Sequence, residues 1–254
     1  ADSIRTCLAE IQPELIVNAA AYTAEDKAEE EPEQAMAING IAPGILAEIA
    51  HQQSAALIHY STDYVFDGNK ASPYCELDTP CPLNVYGQTK LAGEQAIAAV
   101  GGAYLILRTS WVYGLHRQNF LLTMQRLARE REELSVVDDQ FGSPTWSRLI
   151  AEGTAQLIAQ ARGQVTSFIG HHAGVYHLSS QGRTSWYGFT RAILEQLEQT
   201  TESKPLARLE AIPTSGYPTP AQRPAFSCLD NTLLRDTFGI ALPNWEKALA
   251  LALS

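Results

Sequence analysis

Apolar positions along the chain follow two patterns that take turns. Short, nearly continuous apolar runs, ELIVNAAA (14–21), SAALIHYST (54–62) and AYLILRTSWVYG (103–114), read as strands buried on both faces. Between them, PEQAMAINGIAPGILAEIAHQQ (32–53) and QTKLAGEQAIAAV (88–100) carry apolar residues at helical spacing, the first weakened in its middle by Gly40, Pro43 and Gly44. Strands separated by helices predict parallel β–α–β units, and so an α/β, Rossmann-like, doubly wound parallel sheet.

The pattern is less regular after residue 115. NFLLTMQRLAREREEL (119–134) predicts a helix whose Arg and Glu form solvated i,i+4 pairs. LSVVDD (134–139) predicts a strand, TWSRLIAEGTAQLIAQA (145–161) a helix, GVYHLSS (174–180) one more strand of the sheet, and SWYGFTRAILEQLEQ (185–199) a helix. AIPTSGYPTPAQRPAF (211–226) is too rich in Pro and Gly for regular structure and suits a loop that covers a ligand. NWEKALALALS (244–254) is a short amphipathic helix with Asn244 as its cap. Residues 1–115 with 147–182 are assigned to a dinucleotide-binding unit, and 116–146 with 183–254 to a smaller α+β substrate unit.

Composition narrows the partners. A formal charge of −10 over 254 residues argues against nucleic acid, whose binding needs clustered Lys and Arg. No apolar run is long enough to span a bilayer and no signal peptide opens the chain, so a cytoplasmic location is expected. Cys7, Cys75, Cys81 and Cys228 lack metal-ligand spacing and read as reduced thiols, with a Cys75–Cys81 bridge as the alternative. His171 and His172 read as solvated residues of a Gly-flanked turn.

Chemistry is expected where strands leave the sheet. Three such ends carry Asn18-Ala19-Ala20-Ala21-Tyr22-Thr23, His59-Tyr60-Ser61-Thr62-Asp63-Tyr64 and Thr109-Ser110-Trp111-Val112-Tyr113-Gly114. Tyr86 and Lys90, four apart at the head of a helix, share one face, and a cation beside a phenol lowers its pKa.

In order, STDYVF, NVYGQTKLAGE, LRTSWVYG, DQFGSPT and YPTPAQRP resemble the dTDP-4-dehydrorhamnose reductase family, within the extended short-chain dehydrogenases/reductases. The resemblance covers nearly the whole chain. It implies NAD(P)H-dependent reduction of the 4-keto group of dTDP-4-dehydro-6-deoxy-L-mannose to dTDP-L-rhamnose, for bacterial cell-surface polysaccharide. Tyr86 would donate the proton, Lys90 would lower its pKa and bond the nicotinamide ribose, and Thr62 would hold the keto oxygen. Ala21, Tyr22, Thr23 and Tyr60 would border the cofactor, NADPH or NADH. Asp63 and Trp111 would touch the sugar nucleotide, and Gln140, Phe141 and Arg223 fall on matching substrate stretches. Mg2+ occurs in the family, but the matching helix start here is Trp146, Ser147 and Arg148, so no metal site is carried over. The dTDP-sugar is the expected partner, with a homodimer as the assembly to test.

Two other readings share the fold. One is a related sugar-nucleotide epimerase or 4,6-dehydratase, of which the dehydratase is disfavoured by Tyr64, where an acid would be expected. A non-catalytic subunit of the methionine adenosyltransferase regulatory type has no chemical need for Thr62, Tyr86 and Lys90 together. The 254 residues hold no glycine-rich β-turn-α, and they open on Ala1-Asp2-Ser3 in a helical pattern (SIRTCLAEI). The resemblance therefore implies a first β–α–β before Ala1, an edge position for ELIVNAA, and weak dinucleotide affinity for these residues by themselves.

Overall fold

The computed structural model describes residues 2–200 and 206–254, without the side chains of residues 199 and 200; Ala1, where the sequence reading begins, lies outside. Four parallel strands form the main sheet: β1 (Leu15–Asn18), β2 (Ala56–Thr62), β3 (Tyr104–Thr109) and, later in the chain, β8 (Gly174–His177). Their order is β1-β2-β3-β8, with β1 at one edge. β2 and β3 are the apolar centre, with Leu57, Ile58, Leu105, Ile106 and Leu107 buried. The register pairs Asn18 with His59 and Thr62 with Thr109, so the polar strand ends gather at one rim.

Helices α1 (Asp2–Ile11), α2 (Glu25–Glu30), α3 (Pro32–Met36), α4 (Ala42–Gln52) and α5 (Val85–Val100) accompany these strands. α3 joins α4 through one π-helical stretch, Ala37–Ile41, where Gly40 and Pro43 weaken the helix. Asn84 caps α5 by accepting from the Gly87 N–H at 2.8 Å. A Cβ at Gly87 would stand 2.2 Å from the Tyr64 carbonyl oxygen, so glycine lets the head of α5 press against the end of β2. Arg108 on β3 and Glu94 on α5 form a buried bidentate pair, at 2.9 and 2.6 Å, that holds α5 on the sheet.

The rest of the chain adds the short strands β4 (Val112–Tyr113), β6 (Phe141–Gly142), β7 (Thr145–Trp146) and β9 (Thr184–Ser185), and a second parallel pair, β5 (Glu133–Val137) with β10 (Arg208–Ile212). Its helices are α6 (Phe120–Glu130), α7 (Ser147–Gln160), α8 (Val165–His171), α9 (Trp186–Thr200), α10 (Thr232–Phe238) and α11 (Trp245–Leu253). Leu121, Leu134, Phe189, Ile193 and Leu249 form a core of their own between α6, α9, α11 and β5.

Several elements differ from the sequence reading. β10 takes in Ala211 and Ile212, placed in the loop by its prolines, because pairing with β5 supplies the strand partner. α2 and α10 are short helices that the sequence reading did not mark. His171 closes α8 rather than standing in a turn. Leu234, Phe238, Ile240 and Leu242 pack with Ile58, Leu105 and Leu107 on the main sheet, so this stretch does not join the core of α6, α9 and α11 as its place in 183–254 implied. All four cysteines are free thiols.

Candidate active site

The end of β2 runs into a single 3₁₀ turn, Asp63–Val65, capped by the Thr62 hydroxyl, which accepts from the Tyr64 N–H at 3.2 Å. The head of α5 rests on this turn, and the Thr62 hydroxyl is close enough to the Tyr86 phenol to pull its pKa down. The Tyr64 ring meets the Tyr86 ring edge-on, centroids 5.9 Å apart. Thr62 also donates to Asp63 Oδ1 at 3.2 Å, and Ser110 donates to Asp63 Oδ2 at 2.9 Å.

One turn into α5, Lys90 is buried to 2% exposure. Its ammonium nitrogen lies 2.6 Å from the Tyr60 carbonyl oxygen and 3.2 Å from His59 Nε2. Burial holds its pKa down to about 8, against a smaller upward pull from Glu94. The sequence expectation that Lys90 lowers the Tyr86 pKa is corrected here. Burial, then the Glu25 carboxylate and with it Asp63, push Tyr86 above the ordinary phenol range, and only the nearby Thr62 hydroxyl works downward. Lys90 is turned to the carbonyl of β2. A phenol so placed stays protonated at neutral pH and so holds the proton that a reduced carbonyl needs.

Asp63 is also corrected. At 2% exposure it is enclosed by the hydroxyls of Ser227, Ser110 and Thr62, and cannot face a sugar. Burial raises its pKa to about 6, with those three hydroxyls pulling the other way. It braces Thr62 from below.

Ala21, Tyr22 and Thr23 lie on the loop after β1. Asn39 of the π-helical stretch fixes them: its Oδ1 accepts from the Tyr22 N–H at 2.8 Å, while its Nδ2 donates to the Tyr22 carbonyl at 3.0 Å and to Thr89 at 3.2 Å. Tyr60 directs its phenol away from Lys90, to Thr154 on α7 at 2.8 Å. Asn39 escaped the sequence reading, although the Gly40 next to it marked an irregular helix.

On the other side, Trp111 stacks on Trp186 with centroids 3.5 Å apart and planes within 3°. Trp111 takes a left-handed φ of 44°, and a Cβ at Gly142 would stand 2.3 Å from its ring, so the DQFGSPT glycine makes room for the indole. Trp186 donates to Gln140 Oε1 at 3.2 Å, and Gln140 donates to Thr214 at 3.1 Å. Trp186, read only as part of a helix, therefore carries the Trp111 platform. Phe141 is 37% exposed and its N–H donates to the Ala225 carbonyl at 2.8 Å.

A cavity of about 280 Å³ is lined by Gln140, Thr214, Tyr217, Thr219, Ala221 and Arg223. Arg223 holds Asp26 through two 3.1 Å contacts and lies 3.3 Å from Glu25. The 217–224 loop is thereby clamped to α2, next to Tyr86. Among the described residues no three His, Cys, Asp or Glu side chains gather as a metal site would require.

A family model described as the RmlD substrate binding domain matches residues 1–254. The chain belongs to that family. It is similar to the dTDP-4-dehydrorhamnose reductase of Burkholderia thailandensis, 48% identical over 257 residues, covering 98% of this chain and 84% of that protein. The Escherichia coli K12 reductase is 47% identical, covering 93% of this chain and 77% of its own length. Among solved structures, the Bacillus anthracis reductase in complex with NADP superposes with a TM-score of 0.85 at 35% identity, over 99% of this chain and 84% of that one. The Clostridium acetobutylicum reductase gives 0.89 at 34%, over 98% and 83%. The reductase fold is thus the fold of this chain.

Proposed function

We propose that the protein reduces the 4-keto group of dTDP-4-dehydro-6-deoxy-L-mannose to give dTDP-L-rhamnose, with NADPH as the reductant. The observation that carries this reading is the close approach of Thr62 and Tyr86 at the carboxyl end of β2, beside a buried Lys90. The reduced nicotinamide supplies the hydride. Tyr86 donates the proton to the keto oxygen, and Thr62 turns its hydroxyl from Asp63 to the same atom. Two donors aimed at one oxygen stabilise the charge that grows there. Lys90 is assigned to the nicotinamide ribose, with the 19–24 loop and Tyr60 bordering the cofactor. Trp111 and Phe141 give the sugar an apolar wall, and Gln140 and Arg223 border the cavity suited to the nucleotide. The division into a cofactor unit and a substrate unit fits this reading if residues 231–242 are counted with the sheet.

Tyr64 is buried where a dehydratase would present an acid, which supports reduction over dehydration. The test is NADPH and NADH oxidation by the full-length protein with the dTDP-linked ketone. Substrate-dependent oxidation yielding dTDP-L-rhamnose is expected; release of water from a dTDP-hexose, with no net oxidation of the nucleotide, would replace this reading.

A further inference from the structure

Behind the Thr62–Tyr86 pair runs a row of three buried polar side chains, of which only Lys90 has a part above. Asn18 ends β1, His59 lies in β2 and Lys90 in α5, with exposures of 9%, 0% and 2%. The hydrogen bonds along this row have one self-consistent direction. The Ala20 N–H donates to Asn18 Oδ1 at 3.2 Å, which keeps the amide oxygen on that side. The Asn18 amide nitrogen then faces His59 Nδ1 at 2.9 Å. An amide nitrogen only donates, so Nδ1 accepts and the imidazole proton is on Nε2. Burial, followed by the Lys90 charge, holds His59 well below its ordinary pKa, and the ring is neutral.

His59 therefore presents Nε2–H to Lys90 Nζ at 3.2 Å. An ammonium has only hydrogens to offer there, and the two donors oppose each other. A neutral amine has a lone pair and accepts.

We infer that Asn18 and His59 act as positioning residues that set the charge of Lys90. Asn18 locks the imidazole in the Nε2–H form, and that form favours the amine over the ammonium. In turnover, which rests on the reductase reading, the alkaline limb of the rate then follows Lys90. Other groups around the ammonium pull differently. The Tyr60 carbonyl favours the charged form, and Glu94 on the same helix does so weakly because Arg108 of β3 holds both of its oxygens. Tyr86, one turn back, is a neutral phenol.

Histidine and lysine side chains labelled with 15N report both groups in the free protein. The wild type is expected to show His59 with Nδ1 unprotonated and Lys90 titrating near 8. In Asn18→Asp one carboxylate oxygen keeps the Ala20 N–H and the other demands a proton on Nδ1. The tautomer flips, Nε2 accepts from the ammonium, and the Lys90 midpoint rises by about one unit or more. The added charge alone is measured by the same change in a His59→Leu background, where the rise is clearly smaller. The alkaline limb of kcat/KM moves up with the Lys90 midpoint. A wild-type ring protonated at Nδ1, or equal shifts in both backgrounds, overturns the inference. Should Asn18→Asp fail to fold, the wild-type tautomer decides. Absence of ketone reduction would instead defeat the reductase reading and leave these titrations unaffected.

Discussion

The Thr62 hydroxyl acts directly on the Tyr86 phenol although one residue closes a strand and the other opens a helix. Two hydroxyls so close together mark the spot where a third oxygen, that of a substrate carbonyl, can take both. Thr62→Val removes one donor and keeps the shape. The expected result is a fall in kcat of about 100-fold, with Thr62→Ser recovering most of it. Equal activity in Thr62→Val and the wild type would remove Thr62 from the chemistry.

Lys90 is a cost to the fold. Its pKa is about 8 in the folded protein against 10.5 for the free side chain, so the unfolded chain binds the extra proton between those values. Stability from this group is present above pH 10.5 and is lost as pH falls to 8, by about 3 kcal/mol at most. Lys90→Met removes that dependence. Urea denaturation at pH 8 and pH 10 should show wild type gaining on the variant as pH rises, while the variant has lost reductase activity at both. A constant difference between the two proteins would contradict this.

Asp63 gives the opposite slope. Its carboxyl is held up to about 6 against 3.8 when free, so the folded state binds the proton more readily. Stability from the protonated form is full below pH 4 and declines as pH rises to 6, again by about 3 kcal/mol at most. Asp63→Asn cannot ionise. Thermal melts of both proteins from pH 4 to pH 6.5 should show the variant gaining on the wild type across that window.

Asp26 holds the loop over the 280 Å³ cavity through Arg223 and through the Ala221 N–H, which it accepts at 3.1 Å. Asp26→Ala frees the loop without touching Tyr86. Steady-state kinetics should show KM for the sugar nucleotide rising about tenfold with kcat within about twofold. An unchanged KM would detach this clamp from substrate binding.

The sheet and the Tyr86–Lys90 helix were legible because their signals are local: continuous apolar runs and a helical period. What lies between elements was not. Nothing in the sequence near Asn39 says that its amide will hold the Tyr22 backbone, since that contact depends on how the π-helical stretch meets the loop after β1. The same holds for Trp186 under Trp111, which are brought together only by tertiary packing. β10 was hidden because a strand rich in Arg and Glu declares itself only through its partner, β5. The spacing of Tyr86 and Lys90 was read correctly as one helical face, yet the direction of the Tyr86 pKa was misjudged. Burial and two carboxylates from other elements outweigh a cation already bonded to a carbonyl.

Proton donation by Tyr86 is the centre of this account, and Tyr86→Phe tests it most directly. Stopped-flow NADPH oxidation with the dTDP-linked ketone should fall by about 1,000-fold or more in the variant, while NADPH binding measured by fluorescence stays near that of the wild type. Oxidation at close to the wild-type rate would mean that the proton reaches the substrate from some other group.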